Sequence, residues 1–600
     1  LLPTQQFNSL AYNSVAGAGI VIDPQQGSVL AYMDPTASNG SHLADSGYQP
    51  GSLLSPFVAL SGFARGLSPA SLEWDIPNDN GVIEASYQNA DQQWHGAVSV
   101  RSAVANNYLV PMVDVLNQAG ISNTWRLAST LGLSSLNDAG ETVSPLFGGS
   151  SASLLEIASA YGTLANSGVR SGTLNEQTGE IALNFISEIK TTTGRILAGN
   201  EAPDKSAVLS LQLAYLINHV LSDESARWES LGYPNVLEIG QTTAAKLGGV
   251  ADGRQVWTVG YTPQRLVLVW MGNTQQEENA QQLDPLMTAG IWHAVMREAA
   301  SGLSNAGWMQ PDGITTVDVC VPSGMLPSAD CPSTMEEVFL TGNEPTLRDT
   351  LYQMIKINRE TGQRATVFTD PALIEEKLFL NIPARARQWA VEAGLAVVPS
   401  GYDAIPASQM SQDLQITSPS LFAPVAGKVT ILGTVNLKDL ASWTVQVGEG
   451  INPPTWLQIG EGYKTVSSGG KLAEWDTSSL DGLYAVRLTA IGQDQSVQTA
   501  VIQVTVDNVP PQVRITYPED GQEVQPVRGS ITLLTEVEDN AGISSVEWVL
   551  DGKTVSTQTE APWLYIMPEV PGKHTLQVTA YDNAGNKTAS DKVEFTVASD

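Results

Sequence analysis

The spacing of apolar residues changes character along this chain. Near the start, Gly19-Ile20-Val21-Ile22-Asp23-Pro24 and Gly27-Ser28-Val29-Leu30-Ala31-Tyr32-Met33 are short apolar runs joined by a polar segment, a pattern that predicts a hairpin. From Ser153 to Asn166, Leu154, Leu155, Ala158, Tyr161 and Leu164 recur at helical spacing, and Gly168 lies just beyond, so a helix is expected. Val256 to Met271 reads as two strands around the turn Thr262-Pro263-Gln264-Arg265, and a further helix is expected across Ile291 to Ala300. Mixed elements of this kind indicate an α+β or α/β domain over residues 1–310.

Beyond that point the pattern shifts. Residues 311–411 hold both cysteines, many prolines and one amphipathic stretch from Pro371 to Gly394, and read as a linker and small packing module without an independent core. From residue 412 onward short alternating segments dominate: Val429 to Val435, Trp443 to Val447, Tyr484 to Ala490 and Thr499 to Val506. A second unit repeats the style with Val513 to Ile515, Ile531 to Val537, Ser545 to Leu550, His574 to Tyr581 and Val593 to Val597. Gly, Asn, Asp and Pro punctuate both, so 412–508 and 509–600 are expected to be two all-β immunoglobulin-like sandwiches. In the second, Asp539-Asn540-Ala541-Gly542 and Asp582-Asn583-Ala584-Gly585-Asn586 are near repeats. Asx turns with a glycine at positive φ account for them; clustered carboxylates and amides would also suit calcium.

Composition narrows the function classes. With 42% hydrophobic and 15% charged residues among 600, the chain can build real cores. The 62 Asp+Glu against 30 Lys+Arg give a net charge of −32. That balance excludes nucleic acid as a partner, because phosphate binding needs clustered Lys and Arg, and it excludes a polybasic membrane anchor. The imbalance is 26 acids to 12 bases up to residue 300 and 36 to 18 beyond it, so it is a general surface property and not an acidic tail. The start, Leu1-Leu2-Pro3-Thr4, shows no signal peptide, and no apolar run long enough for a transmembrane segment is visible. A processed precursor or a trimmed chain would begin this way. The two cysteines, Cys320 and Cys331, have no further ligands nearby, the nearest histidine being His293. A disulfide closing a short loop is the better reading, and it implies an oxidising, extracytoplasmic compartment. No phosphate-binding loop, zinc spacing or HExxH occurs, no cofactor or metal is implied, and the five histidines lie too far apart in sequence to assemble a triad by inspection.

One set of segments resembles a known family. Gln49-Pro50-Gly51-Ser52-Leu53-Leu54-Ser55-Pro56-Phe57 resembles the active-site helix start of penicillin-binding proteins. Gly19 to Met33 resembles that family's opening hairpin, and Trp94-His95-Gly96-Ala97-Val98-Ser99-Val100-Arg101-Ser102-Ala103 the approach to its second motif. Gly148-Gly149, then Leu155 to Gly162 and Ala165-Asn166-Ser167-Gly168, resemble its Gly-Gly loop and following helix. Trp257-Thr258-Val259-Gly260-Tyr261-Thr262-Pro263 and Val269-Trp270-Met271-Gly272-Asn273 resemble its last strand pair, and Cys320 to Pro327 with Cys331-Pro332 a cysteine module found after it. The resemblance is greatest to the transpeptidase half of a bifunctional class A protein. It implies an α+β, serine β-lactamase-like fold followed by the sandwiches. The glycosyltransferase half and anchor that such proteins carry N-terminally do not appear in the sequence.

The family's chemistry rests on three boxes. In the first, Ser-x-x-Lys, the serine attacks a D-Ala-D-Ala carbonyl and a lysine one helical turn later takes its proton. Here Ser52 is present and the lysine position is Ser55, whose hydroxyl is no base at neutral pH. In the second, Ser-x-Asn, the positions hold Asn107 and Leu109. In the third, Lys-Thr-Gly, Lys246 and Gly248 match while the Thr position is Leu247; Gln241-Thr242-Thr243 is a rival placement with a longer gap to Trp257. Ser52, Lys246 and Gly248 therefore read as vestigial catalytic positions, with Ser55, Asn107, Leu109 and Leu247 as departures, and Ser52 as a residual helix N-cap hydroxyl. The expectation is a catalytically degenerate protein with a structural or binding role in a bacterial-type cell envelope, its partners a peptidoglycan stem peptide or envelope proteins. The alternative is an active DD-transpeptidase or carboxypeptidase in which Lys246 activates Ser52.

Overall fold

The computed structural model describes residues 15–33, 48–77, 89, 91–137, 139–175, 179–199, 202–273, 282–305, 307–403, 411–526, 530–540, 542–561 and 563–598. The chain start, Leu1 to Thr4, lies outside them. The chain divides into two compact units, Leu1–Asp349 and Thr350–Asp600.

The first unit is organised by an antiparallel five-stranded sheet. Its strands are β1 (Val15–Asp23), β2 (Ser28–Met33), β3 (Ala244–Gly249), β4 (Gln255–Tyr261) and β5 (Leu266–Asn273), in the order β3-β4-β5-β1-β2. The hairpin expected at residues 19–33 forms, as do the two strands around Thr262 to Arg265. Side chains alternate across the sheet. Trp257, Val259 and Tyr261 of β4 and Leu266, Leu268 and Trp270 of β5 join the main core, while Val267 and Val269 of β5 join a separate cluster on the other face.

Helices cover both faces. On the main-core side lie α1 (Ser55–Phe63), α2 (Val100–Asn106), α3 (Leu109–Ala119), α4 (Leu154–Ala165) and α5 (Leu211–Ser222). The helix α4 occupies the expected place and is closed at its start by reciprocal bonds between Ser153 and Glu156. On the other face lies α6 (Leu286–Ala299), which starts five residues before the expected Ile291. The early turn was hidden because its inward residue is polar: Thr288 is fully buried and hydrogen-bonds the hydroxyl of Thr258 on β4 at 2.8 Å.

A buried ionic network fastens the cysteine hairpin onto this unit. The hairpin pairs Ile314–Cys320 with Thr334–Leu340, and Cys320 and Cys331 are disulfide-bonded as expected, with Cα atoms 5.9 Å apart. Arg101 of α2 donates through Nε to Glu337 Oε2 at 2.8 Å and through Nη2 to Glu337 Oε1; Glu337 belongs to the hairpin and is buried. The same guanidinium reaches Asp223 at 3.1 Å and donates to His219 Nδ1 at 2.8 Å. Burial and the adjacent Arg101 hold the His219 pKa down, so its ring is the neutral acceptor.

In the second unit, the stretch Pro371 to Gly394 is not one element. It splits into the strand Ile374–Leu380, paired with Tyr352–Asn358, and the helix Ala384–Glu392. Pro383 stands between them; it lacks an N–H and pushes the preceding residue toward extended backbone. Two sandwiches follow. The first packs a three-stranded sheet on a five-stranded one around Ile431, Val445, Trp475, Val486 and Val504. The second packs a three-stranded sheet on a six-stranded one around Leu533, Trp548, Leu576, Val578 and Phe595. The sequence pattern missed strands such as Val466–Asp476, which carries Ser, Gly and Lys with exposed positions on both faces and so lacks clean alternation. Among the described residues, no helix is long and apolar enough to cross a membrane.

Removing one partner of a buried pair strands the other charge. Glu337→Ala is expected to destabilise the first unit by about 3–5 kcal/mol, read from urea unfolding. A loss below about 1 kcal/mol would mean that solvent already screens the pair.

Candidate functional site

The turn that carries Ser52 is fixed from several sides. Gly51–Leu54 forms one turn of 3-10 helix that runs into α1. Trp257 of β4 donates its indole N–H to Gln49 O at 3.0 Å, and Tyr161 of α4 donates its hydroxyl to Leu53 O at 2.6 Å. The turn then abuts β3 directly. Gly51 has φ +54°, and a Cβ there would stand 2.1 Å from Gly249 O; a Cβ on Gly248 would stand 2.6 Å from Leu53 Cγ. Both contacts require glycine.

Ser52 is buried, and its Oγ accepts a hydrogen bond from the Gly249 backbone N–H at 3.0 Å. The helix cap expected of Ser52 is not seen: the capping position is Pro50, and no side chain caps the turn. The hydroxyl instead closes onto a strand nearly two hundred residues away, because the glycines let the two backbones touch. Ser55, one turn on, is fully buried, and its hydroxyl has no hydrogen-bond partner among the described residues. Such a group costs about 1–3 kcal/mol.

Lys246 comes from β3, whose alternation decides the roles of its neighbours. Ala244 joins the main core, and Ala245 and Leu247 join the cluster under α6 with Val267, Val269 and Trp292. Lys246 therefore faces α2 while Leu247 faces away from it, one residue apart on a pleated strand. Lys246 is 1% exposed. Its ammonium donates to Val104 O and to Asn107 Oδ1. Both acceptors are neutral, and burial brings its pKa down from 10.5 to about 7. Asn107 ends α2 in left-handed backbone at φ +62°, a conformation asparagine tolerates. Leu109 lies in the main core at the start of α3.

The structure thus joins Lys246 to Asn107 and joins Ser52 to the strand beside Gly248, while Leu109 and Leu247 are core residues. Sequence reading treated Asn107 only as a departure; its role as the lysine's acceptor depends on the approach of α2 to β3, which no local pattern announces. It also missed Tyr161 and Trp257 as holders of the serine turn. Their bonds go to backbone carbonyls, which leave no mark in the sequence. Asn106, beside Asn107, receives the Ser230 N–H at 3.2 Å and donates to Ala226 O at 2.8 Å, pinning the segment 225–231 over the end of α2. His95 stacks on Tyr108 with ring centres 4.0 Å apart and contacts Asp75 through Nδ1 at 2.7 Å.

Comparison with known proteins follows the same order along the chain. Residues 17–287 match the penicillin binding protein transpeptidase domain, residues 310–354 the penicillin-binding protein 1A C-terminal domain, and residues 511–597 a bacterial Ig domain. A penicillin-binding protein 1A of Clostridium botulinum is 25% identical over 326 residues, covering 51% of this chain and 37% of the relative. Penicillin-binding protein 1C of Escherichia coli is 25% identical over 303 residues, covering 49% and 36%. This chain therefore spans little more than a third of the length of these relatives. The crystal structure of Penicillin-Binding Protein 1A from Haemophilus influenzae aligns over 56% of this chain and 55% of that chain, with 18% identity and a TM-score of 0.48.

Two outcomes follow from the burial at this site. Ser55→Ala is expected to raise unfolding free energy by about 1 kcal/mol, since it removes an unsatisfied hydroxyl; a loss of similar size would reveal a partner for it. For Lys246 the folded-state pKa lies below the unfolded one. Between about pH 7 and 10.5 the unfolded chain therefore binds the extra proton, and stability gains with rising pH. Across that window the stability of the native protein relative to Lys246→Met is expected to rise by about 1.4 kcal/mol per pH unit. A difference that stays flat would mean the amine titrates normally.

Proposed function

Residues 17–287 belong to the penicillin-binding-protein transpeptidase family, and from that premise we propose that this chain is a catalytically degenerate member with a structural or binding role in the bacterial cell envelope. The observation that carries the reading is the state of the two hydroxyls at the first box. Ser52 Oγ is engaged by the Gly249 N–H, and the residue at the base position, Ser55, is a buried hydroxyl without a partner among the described residues. A serine becomes a nucleophile only with a base in hydrogen-bond reach. Losing one member of such a set typically costs several orders of magnitude in rate. The close contact of the serine turn with β3 at Gly51 and Gly248 further supports a closed site.

The envelope location is supported by the disulfide between Cys320 and Cys331, a bond that persists in oxidising compartments. The sandwiches supply surface for envelope-protein partners. A peptidoglycan stem peptide is the weaker candidate ligand, because Leu109 and Leu247, which stand at box positions, are packed in cores.

One observation favours the alternative, a working serine DD-transpeptidase or carboxypeptidase. Lys246, with its pKa brought to about 7, is partly neutral at neutral pH and so able to accept a proton. In the degenerate reading it is occupied by Val104 and Asn107.

A fluorescent penicillin separates the two. The purified chain is expected to show no covalent labelling above a heat-denatured control. Labelling that disappears in Ser52→Ala would overturn the degenerate reading and establish Ser52 as the acylated residue.

A further inference from the structure

The two Asx loops of the second sandwich converge on a residue from the first. Asp507 directly follows the last strand of the first sandwich, Val497–Val506. Asp539 lies in the loop before Ile543–Leu550, and Asp582 ends the strand Gly572–Asp582. One carboxylate oxygen from each of the three lies within 4.8 Å of the others.

Turn chemistry accounts for much of what Asp539 and Asp582 do. Asp539 Oδ2 accepts the Gly542 N–H at 2.8 Å, and Asp582 Oδ1 accepts the Asn586 N–H at 2.8 Å. It does not account for Asp507. That residue is 1% exposed. Its Oδ1 takes the Val509 N–H at 3.1 Å and the Asn540 amide at 3.3 Å, and its Oδ2 is buried with no hydrogen-bond partner among the described residues. An oxygen in that state costs free energy unless something outside the protein satisfies it. Burial raises the Asp507 pKa, and the neighbouring charges that act on it, Asp582 and Asp481, are carboxylates that raise it further.

We propose that Asp507, Asp539 and Asp582 bind a calcium ion that bridges the two sandwiches. The donor chemistry is all oxygen, with no His or Cys in the group, which suits a hard cation. The spacing suits calcium: two oxygens on opposite sides of an ion with bonds of about 2.4 Å stand about 4.8 Å apart. Calcium also tolerates irregular coordination by loops and completes its shell with carbonyls and water, whereas magnesium demands a tighter octahedron. The ion would satisfy Asp507 Oδ2 and offset the mutual repulsion of the three carboxylates. Since Asp507 belongs to one sandwich and the other two to the next, binding fixes the joint between them. Asn586 already spans it, donating to Asp507 O at 2.8 Å and to Asp582 Oδ2 at 2.7 Å.

The test is calorimetric titration of the whole chain with calcium chloride after treatment with a chelator. One saturable site is expected. Its affinity is expected to fall by about tenfold or more in Asp507→Asn, since calcium affinity follows ligand charge, and to be unchanged in Asp494→Asn, a change to an exposed turn acid. Magnesium chloride is expected to bind more weakly by a similar factor. No saturable calcium binding, or equal binding by Asp507→Asn, would overturn the proposal. Hydrogen exchange on the native chain needs no variant. Calcium is expected to slow exchange at residues 507–509, 539–543 and 582–586, and unchanged exchange there would count equally against the site.

Discussion

Everything at the candidate site depends on how closely the serine turn meets the strand Ala244–Gly249. Glycine at 51 and 248 removes the side chains that would hold them apart, and the Ser52 hydroxyl then bonds the strand's own N–H. That contact sets the position of the strand, and the strand's pleat does the rest. Lys246 is turned into a dry space beside α2, while Leu247 is turned into the apolar cluster beneath α6. A hydroxyl at position 247 would face Trp292 and its neighbours, so leucine suits the surroundings it has.

The buried lysine is where structure and chemistry meet most directly. An ammonium with two neutral acceptors and, among the described residues, no carboxylate partner is held at the expense of stability, and its lowered pKa expresses that cost. Active sites are places where such costs are retained because the perturbed group does work. In this chain the perturbed lysine is held by Val104 O and Asn107 Oδ1, and neither acceptor takes a proton from it at neutral pH.

The remainder of the molecule is held by different forces. The cysteine hairpin is fixed to the first unit by Arg101, whose guanidinium meets Glu337, Asp223 and a neutral His219. The sandwiches rely on interdigitated apolar faces, centred on residues such as Val486 and Trp548. At the joint between them, charge of one sign is gathered where neither apolar packing nor ion pairing explains it.

The sequence alone determined the fold class, the order of the segments and the place of those elements whose local signals are clean. Apolar periodicity and turn residues are local signals, and elements such as α4 with its Ser153 cap, or the β1–β2 hairpin, carry them in full. It also determined which box positions differ, because that needs only residue identity. Tertiary structure alone decided what those positions do. That Asn107 receives the lysine, that Leu109 and Leu247 are core residues, and that Ser52 bonds Gly249 rather than capping a helix all depend on contacts between segments separated by up to about two hundred residues. The loops at Asp539 and Asp582 read as near repeats in the sequence, and only the folded chain brings Asp507 within 4.8 Å of them. Local pattern fixes backbone conformation. The burial, partner and charge state of a side chain are set by neighbours that the linear order does not reveal.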